Sequence, residues 1–191
     1  MKERPILMAG EMVRATLAGR KTQTRRVIKP QPELAPDGKW DWKPRGKWAG
    51  AIGKNGQHNL RCPYGQPGDV LWVRECFSPY LYRDGCWYWA DGNVAAYDAT
   101  KPKPSIYMPR WASRILLEVV DVRVERVQEI SEEDAMAEGV EWKEYAGLAN
   151  KTAKKLFRTL WDKINGKKHP WKSNPWVWRV EFKMVPDCTR N

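Results

Sequence analysis

The run Arg20-Lys21-Thr22-Gln23-Thr24-Arg25-Arg26 sets one amine and two hydroxyls among three guanidiniums. A lysine held near other cations is harder to keep protonated, and a lysine so tuned can act as a base. Threonine becomes a useful nucleophile only when a neighbouring base takes its proton. Lys21 and Thr24 are therefore candidates for amide or acyl transfer. In a fully extended strand they point to opposite faces, because the side-chain period is two. They converge only if the chain turns between them. The alternative is that Lys21 binds a phosphate while Thr24 caps or packs.

A second group of residues could hold a nucleic acid. Lys39-Trp40, Trp42-Lys43, Arg45 and Lys47-Trp48 interleave aromatics with cations, an arrangement that stacks bases and follows phosphates. Equally, Trp40, Trp42 and Trp48 could belong to a lid that packs on the core. Trp72-Val73-Arg74-Glu75 and Arg110-Trp111 each put charge and an aromatic near an expected strand end. Arg74 with Glu75 could instead form a structural ion pair.

The chain of 191 residues carries 34 Lys and Arg against 23 Asp and Glu, a net charge of +11, and 12 tryptophans. Such an excess attracts polyanions. No apolar run reaches membrane-spanning length, and the apolar stretch Ile6 to Ala9 is too short for a secretory signal. The expectation is a cytoplasmic protein with no membrane partner. Cys62, Cys76, Cys86 and Cys188 include no closely spaced pair, so free thiols are expected, with neither a metal nor a cofactor.

These residues need elements to position them. The spacing predicts a helix over 11–18, with Val13 and Leu17 inward and Gly19 ending it. Residues 20–28 read as extended chain, and 29–66 as a long insertion with little core of its own. A strand covers 70–75 after the turn Pro67-Gly68-Asp69. Residues 77–104 read as a second insertion, with a short strand at 86–89. Residues 112–127 form a long strand whose alternation changes phase at Val120-Asp121, which predicts a bulge. Ser131 caps a helix over 132–138. A helix over 152–165 carries the stripe Leu156, Phe157, Leu160, Trp161 and Ile164. In the last strand Trp176, Trp178, Val180, Phe182 and Met184 share one face, opposite Arg179, Glu181 and Lys183. The order gives an α+β domain with a small, mostly antiparallel sheet and helices to the side.

Four pieces carry a family resemblance. Leu17-Ala18-Gly19-Arg20-Lys21-Thr22-Gln23-Thr24-Arg25-Arg26 resembles the G-x-K-x-x-T-x-R signature of ASCH domains. Residues 67–75, 105–114 and 174–178 resemble further family segments, the last two those of phage and prophage members. They come in family order and cover most of the chain outside 29–66 and 77–104. The resemblance implies a single domain over 1–191, a PUA-like, partly closed β-barrel with flanking helices and two insertions, in a bacterial host and encoded by a phage or prophage. It also implies that Lys21, Thr24 and Glu138 match the lysine, threonine and glutamate of the family's acetylcytidine amidohydrolases. Glu138 then serves as the acid for a leaving amine, or as an ordinary acid near the end of a solvated helix.

The expected function is recognition of RNA, single-stranded nucleic acid or a modified nucleoside. Arg20, Arg25, Arg26, Trp72, Arg74, Glu75, Arg110, Trp111 and Lys43 are the candidate contacts beside the three insertion tryptophans. Hydrolysis, ribonuclease-like or acylcytidine amidohydrolase-like, stays open. The rival is a non-enzymatic phage or prophage interaction protein.

Overall fold

The structure is a computed structural model that describes residues 1–44, 49–52, 59–92, 99–140 and 152–186. In chain order it runs β1 (Glu3–Leu7), α1 (Gly10–Leu17), β2 (Gln23–Val27), β3 (Glu33–Leu34), β4 (Trp40–Trp42), β5 (Gly50–Ile52), β6 (Val70–Arg74), β7 (Phe77–Pro79), β8 (Cys86–Tyr88), β9 (Leu116–Arg126), α2 (Glu132–Ala137), α3 (Ala153–Asn165) and β10 (Trp176–Met184). Five strands make the main sheet in the order β1-β6-β9-β10-β2. All its pairings are antiparallel except β1 with β6. The fold is α+β and the sheet is open. Its two edges, β1 and β2, share no ladder, but Arg26 Nη2 of β2 donates to the Leu7 carbonyl of β1 at 2.6 Å.

β1 was not anticipated. Its apolar residues Pro5, Ile6 and Leu7 are too few to show a period, yet Ile6 is buried and the strand docks on β6 from Glu3 against Val70 to Leu7 against Arg74. The long strand does carry its bulge. Glu181 pairs with Asp121 and Phe182 with Val119, which leaves Val120 unpaired and turned to solvent. The extra residue bends β9 and moves the next inward valine to even numbers.

Two cores result. The larger one lies inside the curved sheet, where Ile6, Leu71, Val73, Leu117, Val119, Trp178, Val180 and Phe182 meet. The smaller lies on the opposite face of β10, where Val177 meets Phe157 and Trp161 of α3. Leu17, Ile164 and Met184 continue their apolar patterns but are exposed at element ends. The first insertion is more ordered than composition suggests. β3, β4 and β5 form their own antiparallel sheet, and Ile52, Leu60 and Cys62 enter the main core. In the second insertion β7 and β8 pair over a satellite core of Phe77, Cys86, Met108 and Ala112.

No helix among the described residues is long and apolar enough to cross a membrane. Cys62, Cys76 and Cys86 are free thiols, and burial pushes the Cys62 thiol up to about 11. Cys188 lies outside the described residues.

Gly139, just after α2, fixes how closely that helix approaches α1. Its φ is +84°, and an added Cβ would stand 2.8 Å from Ala15 Cβ and 2.9 Å from Lys21 Cβ. Both the left-handed backbone and the contact demand glycine. Gly139→Ala should therefore destabilise the fold by about 1–3 kcal/mol, read as a lower midpoint in urea unfolding. An unchanged midpoint would refute this packing.

Candidate functional site

Ser131 begins α2 by accepting a hydrogen bond from the Asp134 amide at 3.1 Å. The helix is short and ends with Glu138 as its C-terminal cap. That end lies against the segment leading into β2, where Lys21 forms an isolated antiparallel bridge with Glu138. The strand proper starts only at Gln23. Lys21 can therefore fold back along it, and its amine donates to the Gln23 carbonyl at 2.8 Å. The same amine donates to the Glu138 carbonyl at 3.0 Å and to Glu138 Oε2 at 2.8 Å. An ammonium has three protons, and these three acceptors take them all.

The pair is deeply buried, with 2% of the Lys21 side chain and 6% of the Glu138 side chain exposed. Burial drives the Lys21 pKa below its ordinary value of 10.5. The Glu138 carboxylate opposes that shift, while Arg26 and Arg25 reinforce it.

Arg25 sits beside this pair with no exposed side-chain surface. It contacts Glu125 at 2.6 Å, Asp134 at 2.8 Å, and Glu138 Oε1 at 3.4 Å. Gln23 and Arg179 complete the network, both bonded to Asp134. Burial alone would raise the Asp134 carboxyl, but the Gln23 hydrogen bond and the Arg25 and Arg179 guanidiniums outweigh it and hold it low. Glu125 is shifted up, because burial exceeds the pull of Arg25. Alternation puts Arg179 on the face of the last strand opposite its apolar side chains, and Asp134 in the first turn of α2 meets it there together with Gln23 and Arg25.

Lys21, Thr24 and Glu138 all line one cavity of about 490 Å³ between the two sheet edges. Arg26 and Lys29 add positive charge to its wall, and Tyr64 and Trp161 add aromatic surface. Thr24 lies within β2, opposite Val180. It is not an acceptor for the Lys21 amine, so no nucleophile–base hydrogen bond joins them. Lys29, Tyr64 and the apolar wall of Met12 and Leu160 escaped the sequence reading. The turn signal Pro63-Tyr64-Gly65, with Gly65 at φ +103°, was the available clue for Tyr64.

Arg25 lines the same cavity, as Arg26 does, and the other candidates are dispersed. Arg25 is an internal ion-pair hub rather than a surface cation. Glu75 is buried and held by both arms of Arg114, at 2.9 and 3.1 Å, so it is a structural acid. Arg74 lies over the Trp72 ring at 5.4 Å and donates to the Ile106 carbonyl. Trp40 packs edge-on against Trp176, and Trp42 against Trp178. Arg126 sits in the corner formed by the Trp40 and Trp176 rings, 4.3 and 4.2 Å from their centroids. These two insertion tryptophans thus form a lid on the core. Lys43 pairs with Asp41 at 3.6 Å. Arg20 is exposed, and Arg110 is paired with Glu3 beside the exposed Trp111. Trp48 lies outside the described residues, as do Arg45 and Lys47. Among the described residues no group of three or more His, Cys, Asp or Glu is placed to hold a metal.

Removing the hub should be costly. Arg25→Met leaves Glu125 without its guanidinium partner and takes one partner each from Asp134 and Glu138, and should destabilise the protein by about 3–5 kcal/mol in chemical unfolding. A loss within ordinary surface limits would contradict the role. Lys21 makes a separate prediction with a definite sign. Its folded pKa is depressed, so the unfolded state binds more protons between that value and 10.5. Stability contributed by Lys21 must therefore rise with pH through that window. The difference in unfolding free energy between wild type and Lys21→Met should shift in favour of the wild type as pH approaches 10.5. A shift of opposite sign would show that the amine is stabilised as the cation.

No protein-family model matches the chain, and no curated protein sequence does. Two solved structures are similar in overall shape. One is a protein of the DUF984 family from Enterococcus faecalis V583, at 12% identity and TM-score 0.42, covering 100% of this chain and 85% of that one. The other is an ASCH domain from Lactobacillus crispatus JV V101, at 12% identity and TM-score 0.43, covering 96% of this chain and 79% of that one.

Proposed function

We propose that the cavity between β1 and β2 receives an unstacked base of RNA, or a modified nucleoside, and reads its polar edge. The observation that carries this is the convergence of Lys21, Glu138 and Thr24 on one cavity of about 490 Å³, a size suited to a small ligand. The Lys21–Glu138 pair holds a carboxylate acceptor rigidly at the wall. Tyr64 offers a half-buried ring face, and Arg26 and Lys29 offer charge for a phosphate. The net charge of +11 favours a polyanion. The resemblance of residues 17–26 to the ASCH signature points the same way.

Recognition is favoured over hydrolysis because every proton of Lys21 is already bound within the protein. The second reading, deacylation of an N-acylated cytidine, is supported by the lowered Lys21 pKa. It requires ligand entry to bring Thr24 into contact with the amine. In that step the Thr24 oxygen attacks the acyl carbon as the C–N bond breaks, the Thr24 proton passes to Lys21 and on through Glu138 to the departing cytidine amine, and water then hydrolyses the Thr24 ester to release the acid.

The test is fluorescence anisotropy of a labelled single-stranded RNA at stepped salt. Binding should weaken steeply as salt rises, compete with free cytidine, and fall about tenfold in Lys21→Met, which releases the Glu138 carboxylate from its fixed position and with it one charged hydrogen bond to the base. Lys29→Ala should lower the salt slope by about one. No binding by micromolar protein at low salt overturns the proposal. Chromatography of N-acetylcytidine incubated with the protein separates the second reading, and turnover surviving Thr24→Val would refute the step as drawn.

A further inference from the structure

A second concave surface lies beside the cavity and is lined by Phe77, Pro79, Lys103, Pro104, Tyr107, Pro109 and Trp111, with a volume of about 500 Å³. Its aromatics are unusually open, with Tyr107 69% and Trp111 64% exposed. Isolated exposed apolar side chains are ordinary, but several converging on one groove mark a binding surface. The floor is firm. Phe77 belongs to the satellite core, and the Phe77 amide and carbonyl both pair with the Lys103 backbone, at 3.2 and 2.8 Å. Lys101 and Lys103 are both exposed on this rim segment.

The groove joins the first site through a single short segment. Ser105 lines the cavity, while its neighbour Pro104 and nearby Tyr107 line the groove. Consecutive residues are only about 3.8 Å apart. A donated hydrogen bond from Arg74 to the Ile106 carbonyl pins this segment to β6. From this continuity we infer that the groove stacks a base neighbouring the one in the cavity, so that the ligand is a single-stranded polynucleotide rather than a free nucleoside. Open ring faces beside exposed lysines suit a base with its phosphate, and the chain's positive balance selects a polyanion over an uncharged peptide.

This inference rests on the proposed reading of the cavity and is tested so that the two can fail separately. The ligands are a mixed-sequence single-stranded RNA octamer and free cytidine, bound to wild type and to a Tyr107→Ala, Trp111→Ala double variant. Both residues are exposed, so the fold should survive. The octamer should bind the variant at least tenfold more weakly, while cytidine affinity stays the same. Trp111→Phe, alone, should retain most of the octamer affinity. Equal octamer affinity in wild type and double variant, with cytidine still bound, overturns the groove and leaves the cavity standing. Failure of wild type to bind either ligand overturns both. Wild type binding a proline-rich peptide in the groove, with no effect of the double variant on RNA, assigns the surface to protein instead.

Discussion

A buried ammonium is tolerated only where acceptors replace the water it has lost, and that requirement organises this protein. Lys21 has one such environment, built from the Gln23 carbonyl and the end of α2 at Glu138. To supply it, α2 must end where it does, against the segment that leads into β2. Gly139 permits that approach, and Arg25 balances the acids that the helix brings with it. The internal network ties the helix to β2, β9 and β10 through Glu125, Asp134 and Arg179. Broken at one partner, such a cluster leaves charge buried without compensation. Its value here is geometric as much as energetic, because it holds the Glu138 carboxylate in a fixed position at the cavity wall.

That fixed wall divides the positive charges by task. Arg25 and Arg114 are committed to internal acids, and Arg126 is committed to two indole rings. Arg26 and Lys29 border the cavity, and Lys103 borders the neighbouring groove. The net charge alone could not separate these groups. Only their surroundings do. The two concave sites meet at residues 104–107.

Much of the frame was legible in the chain. The change of phase at Val120 marked the bulge, because alternation is a direct reading of which side chains face the core. Ser131 followed by three acids marked the start of α2 through its cap. The ASCH-like segment 17–26 singled out Lys21 and Thr24, and a weaker likeness over 130–138 added Glu138; all three line one cavity. Other features were hidden for physical reasons. Arg25 and Arg179 alternate like solvent-facing residues, and only the covering helix makes them internal. Trp40 and Trp42 have the same composition signature whether they stack bases or pack on Trp176 and Trp178. β1 is short and its pairing with β6 is distant in sequence, so no local pattern reveals it. Tyr107 and Trp111 gain meaning only from the groove that Phe77 and Lys103 build beneath them.

The central claim is that Lys21 is a buried amine facing a ligand cavity. The direct measurement is an NMR titration of its side-chain Nζ and Cε resonances, free and with single-stranded RNA. The account predicts that Lys21 titrates below the other lysines and that its resonances shift when RNA is added. A Lys21 signal that titrates with the exposed lysines and ignores RNA would contradict it.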